Sequence, residues 1–436
     1  MANKRYVLAG TIGLGVAIGV GLVSMEPVAG PAKPEKRLVA PTFQVDPFWP
    51  KPLPDNWVTG EIGGTCIDSQ DHLFIVTRGF QTGGLVSPEG VGGADTSTGT
   101  LGGVFKSKAS PPVIEFDTEG KVVNSWGNAT LVPAGTIGPA GNNIGGQNAV
   151  LPNGTHGCFV DYQDNVWIGG NGDGVVQKYS HDGTLLLTIG TKFLCDSANG
   201  ACAGDSPSEG FSRTLLHRPA DIAVDPNPDP KTGERGSVYV ADGYGSHRVV
   251  VFDRRGNYLR QMGGVGTGPG QFAPGGGGHP HCVVIGKNGL VYACDRANER
   301  VNVFQRDGTF VRAIPVIPGT NALGTAGSAW DVDFSPDKQQ TFMYESDGGN
   351  EIMWIFDHRA ALLGLPNAIL GGFGRPGHMA GEFTFLHMMA IDSNGNLYVG
   401  ETIGGRRIQK FVNCGPGKGH DEGRSPHACK GNSDDR

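Results

Sequence analysis

The sequence is poor in charge: only 18% of its residues are Asp, Glu, Lys or Arg, and the formal net charge of −7 leaves no basic excess. Such a balance provides no electrostatic footprint for nucleic acid. Glycine and proline are abundant instead, at 73 and 29 of 436 residues. So many helix breakers exclude a helical bundle or a coiled coil, and without a strict three-residue glycine period collagen is excluded too. We therefore predict a turn-rich, all-β protein.

Long hydrophobic runs are also lacking, with one exception near the N-terminus. The exception is the uncharged run Tyr6–Val23, which follows Lys4 and Arg5. A basic start and an apolar run are typical of an export signal, but this run is also close to the minimum length of a membrane-spanning helix. We predict a signal peptide or N-terminal anchor over 1–30 and a linker over 31–39. The protein is expected to be periplasmic or secreted, with membrane anchoring by residues 6–23 left open.

No Cys-x-x-Cys pair occurs, which argues against a zinc site built from cysteines. The eight cysteines suit an oxidising compartment instead. Cys195 and Cys202 flank a short polar loop and are predicted to form a disulfide. Cys282 and Cys294 flank a turn symmetrically and are either a cross-hairpin disulfide or two small core residues. Cys414 and Cys429 could form a pair that ties down the polar tail predicted over 414–436, and Cys66 and Cys158 have no obvious partners.

Two hairpin patterns alternate along the chain. One has an apolar run, an aromatic residue and a glycine four positions later; the other has Asp, Asn or Gly at its turn. Together they make a four-stranded unit, and six such units can be counted over 40–413, which is typical of a six-bladed β-propeller. The sixth unit lacks an outer strand, which Thr42–Val45 could supply by closing the ring. An irregular β-sandwich is the alternative. The aromatic and glycine pairs are Phe116/Gly120, Tyr179/Gly183, Phe252/Gly256 and Phe304/Gly308.

Histidine recurs at one position of the repeat. Five residues before the turn that ends the first strand, blades two, four and six carry His156, His281 and His387, and the other blades carry no histidine there. First strands line the channel of a propeller, and alternate blades of six lie about 120° apart around its axis. Three imidazoles should therefore converge at one depth. Such a site suits zinc first, with other divalent transition metals as alternatives. The simpler interpretation is three hydrogen-bonded channel histidines without a metal.

The turn after each second strand lies at the same end of the blade as these histidines. Ten residues beyond the first turn, blades one and four carry Arg78 and Arg296, and blade three presents Tyr244 nearby. Arginine binds carboxylates through its planar fork. We therefore expect a site for a substrate that carries a carboxylate, with Tyr244 as a candidate base. The remaining histidines are expected to be solvated, except His279, which could support His281.

These residues stand within motifs that resemble a known family. The motifs are TRG at 77–79, HGCFVD at 156–161, VADGYGSHR at 240–248, PHCVVI at 280–285, CDRANERV at 294–301 and LHMMAID at 386–392. In this order around the ring, they resemble NHL repeats and, in particular, peptidyl-α-hydroxyglycine α-amidating lyase.

The resemblance implies a six-bladed propeller with zinc held by His156, His281 and His387. It further implies that Tyr244 and Arg78 are catalytic and that Arg296 binds the substrate. The implied reaction cleaves a carbon–nitrogen bond of an α-hydroxylated amide and releases a carbonyl product such as glyoxylate.

The chain departs from the family's pattern at two positions beside the last histidine. Met388 stands where the family has a calcium-binding Asp, so a structural calcium is not expected. Phe385 stands where the family has a methionine, which alters the substrate pocket. We expect a monomer that acts on a small molecule or a peptide. The alternatives are a secreted, non-catalytic NHL propeller that binds a protein or glycan, and a metal-dependent lactonase, which would need carboxylate and Asn ligands.

Overall fold

The computed structural model describes residues 38–81, 85, 107–128, 130–204, 212–320 and 326–416. The predicted signal peptide or anchor over 1–30 and most of the predicted tail over 414–436 lie outside these ranges. Within the ranges, no helix is long and apolar enough to cross a membrane.

Strands dominate this part of the chain. The strands of its first half are β1 (Pro41–Val45), β2 (Trp57–Val58), β3 (Ile62–Ile67), β4 (Leu73–Thr77), β5 (Lys108–Ala109), β6 (Val113–Phe116), β7 (Val122–Trp126), β8 (Thr155–Val160), β9 (Val166–Gly170), β10 (Val175–Tyr179), β11 (Leu185–Gly190), β12 (Asp221–Asp225) and β13 (Ser237–Asp242). The strands of its second half are β14 (Arg248–Phe252), β15 (Tyr258–Gly263), β16 (Val283–Ile285), β17 (Leu290–Asp295), β18 (Arg300–Gln305), β19 (Phe310–Pro315), β20 (Asp331–Phe334), β21 (Phe342–Asp347), β22 (Ile352–Asp357), β23 (Ile369–Phe373), β24 (Leu386–Ile391), β25 (Leu397–Glu401) and β26 (Ile408–Pro416). The helical elements include α1 (His358–Leu363) and 3-10 turns at Pro54–Asn56 and Arg296–Asn298.

Twenty-four of these strands form six four-stranded antiparallel sheets in the described part of the chain, which confirms the predicted six-bladed β-propeller. The other two, β2 and β5, pair with each other in parallel. Blade one consists of β3, β4, β6 and β7, and the next four blades follow in chain order. Blade six combines β24, β25 and β26 with β1, which pairs antiparallel with β26. The N-terminal strand therefore closes the ring, as predicted for Thr42–Val45. The repeat glycines lie at the outer turns with positive φ, a conformation that only glycine adopts freely: Gly120 (85°), Gly183 (89°), Gly256 (86°) and Gly308 (102°).

The core lies between blades rather than inside one layer. The second strand of a blade packs on both faces, so β4 (LFIVT) and β9 (VWIGG) are buried along their full length. The outer strand β7 instead mixes buried and exposed positions. Clusters of buried apolar side chains fill each junction between neighbouring blades of the described ring. Because every blade depends on its neighbours for burial, the ring positions its inner strands rigidly around the channel.

Disulfides connect residues near these inner strands. Cys195–Cys202 is formed as predicted, and Cys282–Cys294 is a disulfide rather than a pair of small core residues. Cys66 and Cys158, for which the sequence suggested no partners, bond to each other and join β3 to β8 across the junction of blades one and two. The predicted Cys414–Cys429 pair lies partly outside the described residues. The three disulfides formed within the described residues are typical of an oxidising compartment.

Candidate metal centre

Three histidine side chains converge at one end of the channel. His156 lies at the start of β8, His387 at the start of β24, and His281 two residues before β16. All three are buried, and their donor nitrogens lie within 4.8 Å of one another. The Nε2 atoms of His156 and His387 are 3.1 Å apart. The convergence predicted from the repeat register is therefore present in the structure.

Backbone carbonyls set the orientation of two of the rings. The Nδ1 atom of His156 donates to the carbonyl oxygen of Ala220 (2.6 Å), and that of His281 donates to Trp330 (2.8 Å). Since a carbonyl oxygen can only accept, the unprotonated nitrogen of each neutral ring is Nε2, which faces the other histidines. Within the described residues, Nε2 of His281 has no hydrogen-bond partner. A buried nitrogen lone pair without a partner, beside two further imidazoles, fits a divalent transition metal.

The surroundings keep these histidines neutral. Burial lowers the pKa of His156, His281 and His387 well below the usual value. Nearby positive charge acts in the same direction, with Arg78 contributing at His156 and His387 and Arg296 at all three. Neutral imidazole is the form that binds a metal, so the site is prepared for an ion across the neutral pH range.

Tyr244 lies directly beside the three histidines. Its hydroxyl oxygen is 3.2 Å from Nε2 of His156. Gly278, with φ of 77°, allows this approach, because a Cβ atom there would lie only 2.9 Å from Cζ of Tyr244. The guanidinium carbon of Arg218 is 5.4 Å from the centre of the Tyr244 ring, and that of Arg296 is 5.9 Å away. Tyr244 can therefore exchange a proton with a group bound at the histidines.

Arg296 is a buried cation beside the same tyrosine. Its residue is only 6% exposed, its guanidinium carbon lies 4.3 Å from the centre of the Trp330 ring, and burial lowers its pKa. The charge of Arg296 interacts with Tyr244 and with no carboxylate of the described residues. The Nε atom of Arg296 has no hydrogen-bond partner among these residues. A buried guanidinium without a carboxylate is suited to bind an anion from solution.

Arg78 occupies a different environment. Its Nη1 atom donates to Glu61 at 2.9 Å, and its Nε atom donates to the backbone oxygen of Thr155 at 2.9 Å. The guanidinium groups beside the Tyr244 ring are those of Arg218 and Arg296. Arg78 still faces the histidines, and its Nη2 atom has no hydrogen-bond partner in the described parts of the chain.

Phe385 lies in the turn before β24 with φ of 56°, and its amide donates to a carboxylate oxygen of Glu351. Its side chain is half-buried two residues from His387.

Sequence reasoning missed three residues at this end of the channel: Trp330, Arg218 and Glu61. Trp330 occupies the blade-five position of the histidine register, and Arg218 begins the string RPADIAVDP, so both had a detectable signal. Glu61 had none. The prediction that most other histidines are solvated is wrong for His217, His247 and His358, which are buried.

Further along the channel lies a cavity of about 230 Å³ whose lining includes Asp221, Asp331, Asp333 and Met388. Burial raises the pKa of Asp221 and of Asp333 to about 7. Asp221 accepts the amide of Val283 (2.9 Å). These carboxylates therefore bind backbone amides of neighbouring blades.

Comparison with known proteins reveals distant relatives, although no protein-family model matches the chain. NHL repeat-containing protein 3 of Mus musculus is 23% identical over 389 residues, which is 86% of either chain. Peptidylglycine alpha-amidating monooxygenase of Rattus norvegicus is 27% identical over 265 residues, 58% of this chain but only 22% of that protein. A probable peptidyl-alpha-hydroxyglycine alpha-amidating lyase of Caenorhabditis elegans is 25% identical over 209 residues, 42% of this chain and 52% of that one.

Solved structures with a similar backbone trace are more remote in sequence. A gluconolactonase of Xanthomonas campestris has a TM-score of 0.46 and 13% identity, covering 82% of this chain and 87% of its own. Virginiamycin B lyase of Staphylococcus aureus has a TM-score of 0.44 and 10% identity, covering 85% and 99%. The relatives found by sequence confirm the resemblance that the motifs indicated: the chain is similar to NHL-repeat propellers, among them the hydroxyglycine amidating lyases.

Proposed function

We propose that the protein is an exported, metal-dependent lyase that cleaves a carbon–nitrogen bond of an α-hydroxylated amide and releases a carbonyl product such as glyoxylate. One observation carries the proposal: three neutral, buried imidazoles converge beside the Tyr244 hydroxyl and the buried Arg296 guanidinium. A proton acceptor, an anion-binding group and a metal-binding triad are the parts that this reaction needs.

The substrate would be held by its carboxylate. Arg296 lacks a carboxylate partner among the described residues and can form a forked pair with one from the substrate. Trp330, which packs against the guanidinium, limits its movement and fixes the direction of the fork. Phe385 and Arg78 complete the surroundings, Phe385 as an apolar contact and Arg78 as a second positive charge. A small molecule or a peptide that ends in an α-hydroxyglycine has the required groups.

Zinc or a similar divalent ion, held by Nε2 of His156, His281 and His387, would supply Lewis acidity toward the substrate hydroxyl. Tyr244, as the phenolate, takes the hydroxyl proton, and the adjacent Arg296 stabilises the negative charge that the ring carries before this transfer. The carbon–oxygen double bond forms as the carbon–nitrogen bond breaks. The proton on Tyr244 then passes to the departing amide nitrogen, so glyoxylate and a primary amide are released in equal amounts.

The test is release of glyoxylate from a synthetic acyl-α-hydroxyglycine by the purified, zinc-loaded protein. The matched control is the acyl-glycine without the hydroxyl group, which has no proton for Tyr244 to take. We expect equal amounts of glyoxylate and amide from the first compound and none from the second. Failure of the folded, metal-loaded protein on a panel of acyl groups would overturn the lyase proposal.

A second candidate is a non-catalytic propeller that binds a protein or glycan. The similarity to NHL repeat-containing protein 3 favours it, because that match spans 86% of both chains whereas the match to the rat amidating enzyme spans 58% of this one. Under this alternative, metal would remain bound but no glyoxylate would form.

A further inference from the structure

A second group of metal-binding side chains lies at the junction of blades one and two. We name it the inter-blade cluster: Asp68, His72 and Glu115 from blade one and His181 from the outer turn of blade two. Donor atoms of Asp68, His72 and Glu115 lie within 4.8 Å of one another. Asp68 directly follows the first strand, five residues beyond the channel position held by Gly63. At about 3.3 Å per strand residue, the cluster is about 16 Å from that end of the channel.

The cluster brings two buried carboxylates together. The side chains of Asp68 and Glu115 are 1% and 4% exposed. Their charged partners within the described residues are His72 and His181, and neither lysine nor arginine is among them. Two carboxylates in a buried site repel each other unless positive charge is supplied.

In other blades, a lysine or an arginine balances the charge of the buried turn aspartate. In blade two, Lys178 pairs with the turn residue Asp161 at 3.1 Å. Glu115 occupies the position of Lys178, directly before the repeat aromatic residue. Blade one therefore carries a negative charge beside its turn aspartate where blade two carries a positive one.

A second difference in charge lies in the outer turn of the neighbouring blade. Between blades four and three, Arg306 pairs with the turn residue Asp225 at 2.9 Å. His181 occupies the position of Arg306, two residues after the aromatic residue, and contacts Asp68 in the same manner. The junction of blades one and two thus lacks both permanent cations, and a divalent ion would restore the balance of charge.

The donor atoms are spaced as metal ligands are. Nδ1 of His72 is 2.8 Å from Oε1 of Glu115 and 4.0 Å from Oδ2 of Asp68. Nε2 of His181 is 3.2 Å from Oδ2 of Asp68 and 3.7 Å from Oε1 of Glu115. Ligands of a tetrahedral zinc ion at bond lengths near 2.1 Å are separated by about 3.4 Å, in the middle of this range.

The orientation of Asp68 is already fixed. Its Oδ1 atom accepts the amides of Gln70 and His72 at 2.8 Å each, which directs Oδ2 at His181. The side chains of His72 and His181 are 23% and 37% exposed, so an ion can enter from solution.

We propose that the inter-blade cluster binds a divalent transition metal ion of the zinc class, with two imidazole and two carboxylate ligands, and that this ion joins blade one to blade two. Four protein ligands are typical of a structural zinc site. The Cys66–Cys158 disulfide connects the same two blades, so the ion would be a second cross-link between them.

The test is zinc stoichiometry of the full chain after chelation, reloading and gel filtration. The matched variant is Glu115→Lys with His181→Arg, which installs the side chains that blades two and four use and keeps the junction charge-paired. His281→Ala serves as the reference for the channel histidines. We expect the Glu115→Lys/His181→Arg variant and His281→Ala each to hold one zinc fewer than the wild type, and the combined variant two fewer.

Equal zinc content in the wild type and in the Glu115→Lys/His181→Arg variant would overturn the proposal and would mean that the histidines and carboxylates contact one another without an ion. His72→Asn gives an independent check, because Asn165 and Asn396 occupy that position in blades two and six. It should also remove one zinc, and an unchanged zinc content would count against the site. Circular dichroism and an unfolding midpoint establish that each variant is folded.

Discussion

The channel histidines and the inter-blade cluster use overlapping donor chemistry in opposite electrostatic settings. At the channel end, three neutral imidazoles lie beside Arg296, whose charge no carboxylate of the described residues balances. At the junction of blades one and two, two imidazoles are accompanied by two buried carboxylates. A divalent ion at the first site would keep its positive charge and an open position, as catalytic zinc does, whereas the second site would neutralise and enclose its ion. Charge and ligand number would thus distinguish a catalytic ion from a structural one.

The largest effect should follow from removing a ligand of the first site. His281→Ala leaves two imidazoles, which are insufficient to hold the ion, so the Lewis acidity is lost. We expect the turnover of an acyl-α-hydroxyglycine to fall by about a thousandfold or more. Glyoxylate release and metal content measured on the same sample provide the check. Turnover that survives in a metal-free sample would contradict the role of the triad.

The proton acceptor should come next. Tyr244→Phe removes the hydroxyl 3.2 Å from His156 but keeps the ring that packs beside Arg296. Loss of a general base usually costs about a hundred- to ten-thousandfold in rate. We expect that loss in kcat with metal content unchanged. An unaltered kcat would assign proton transfer to another group.

Arg296 should affect binding more than chemistry. Arg296→Lys keeps the charge but loses the planar fork against Trp330, and charge-assisted hydrogen bonds are worth about 1.5–3 kcal/mol. We expect KM for a carboxylate substrate to rise about ten- to a hundredfold. A substrate with a neutral amide in place of the carboxylate should be much less sensitive to the variant. If both substrates respond equally, Arg296 does not bind the carboxylate.

The inter-blade cluster should change stability and leave turnover intact. Zinc at a hundred times its dissociation constant stabilises a single site by about 2.7 kcal/mol. Because the channel site is proposed to bind zinc as well, the comparison is made in the His281→Ala background. Zinc should raise the free energy of unfolding there, and adding Glu115→Lys/His181→Arg should remove that increase. The Glu115→Lys/His181→Arg variant alone should retain glyoxylate release within about twofold. If zinc raises the free energy of unfolding equally in His281→Ala with and without Glu115→Lys/His181→Arg, the comparison between the two sites is contradicted.

Acidification should produce the smallest difference between variants, and the sign of its effect on stability follows from burial. The pKa values of His156, His281 and His387 are lowered in the folded, metal-free protein. Below pH 6.5 the unfolded chain takes up protons that the folded chain does not, so stability falls as pH falls. Each such histidine contributes a slope of about 1.4 kcal/mol per pH unit. Urea unfolding of the stripped protein between pH 7.5 and 5 measures this slope, which should be shallower in His281→Ala.

Regular repeats explain why the fold and the channel site could be predicted. The position of a residue within a repeated strand sets the direction of its side chain, so His156, His281 and His387 could be placed at one depth without coordinates. Ring closure by β1 followed from the incomplete sixth blade. The environment of Tyr244 was predicted less well: Arg296 was anticipated near the site, but its pairing with this ring, and the presence of Arg218, depend on loop conformations that no repeat encodes.

The inter-blade cluster could not be predicted from the same pattern. Its residues come from a turn, a third strand and the outer turn of the next blade, so their meeting depends on how blades pack rather than on strand register. His72 and His181 were expected to be solvated for that reason. The Cys66–Cys158 disulfide was missed in the same way, because it too crosses between blades.

Anomalous X-ray scattering at the zinc edge, from crystals of the zinc-loaded full chain, tests the central claim most directly. We expect a peak bonded to Nε2 of His156, His281 and His387 at about 2.0–2.1 Å, with a position left open toward Tyr244. Absence of a peak there, or three imidazoles turned away from a common point, would contradict the metal-dependent chemistry while leaving the propeller intact.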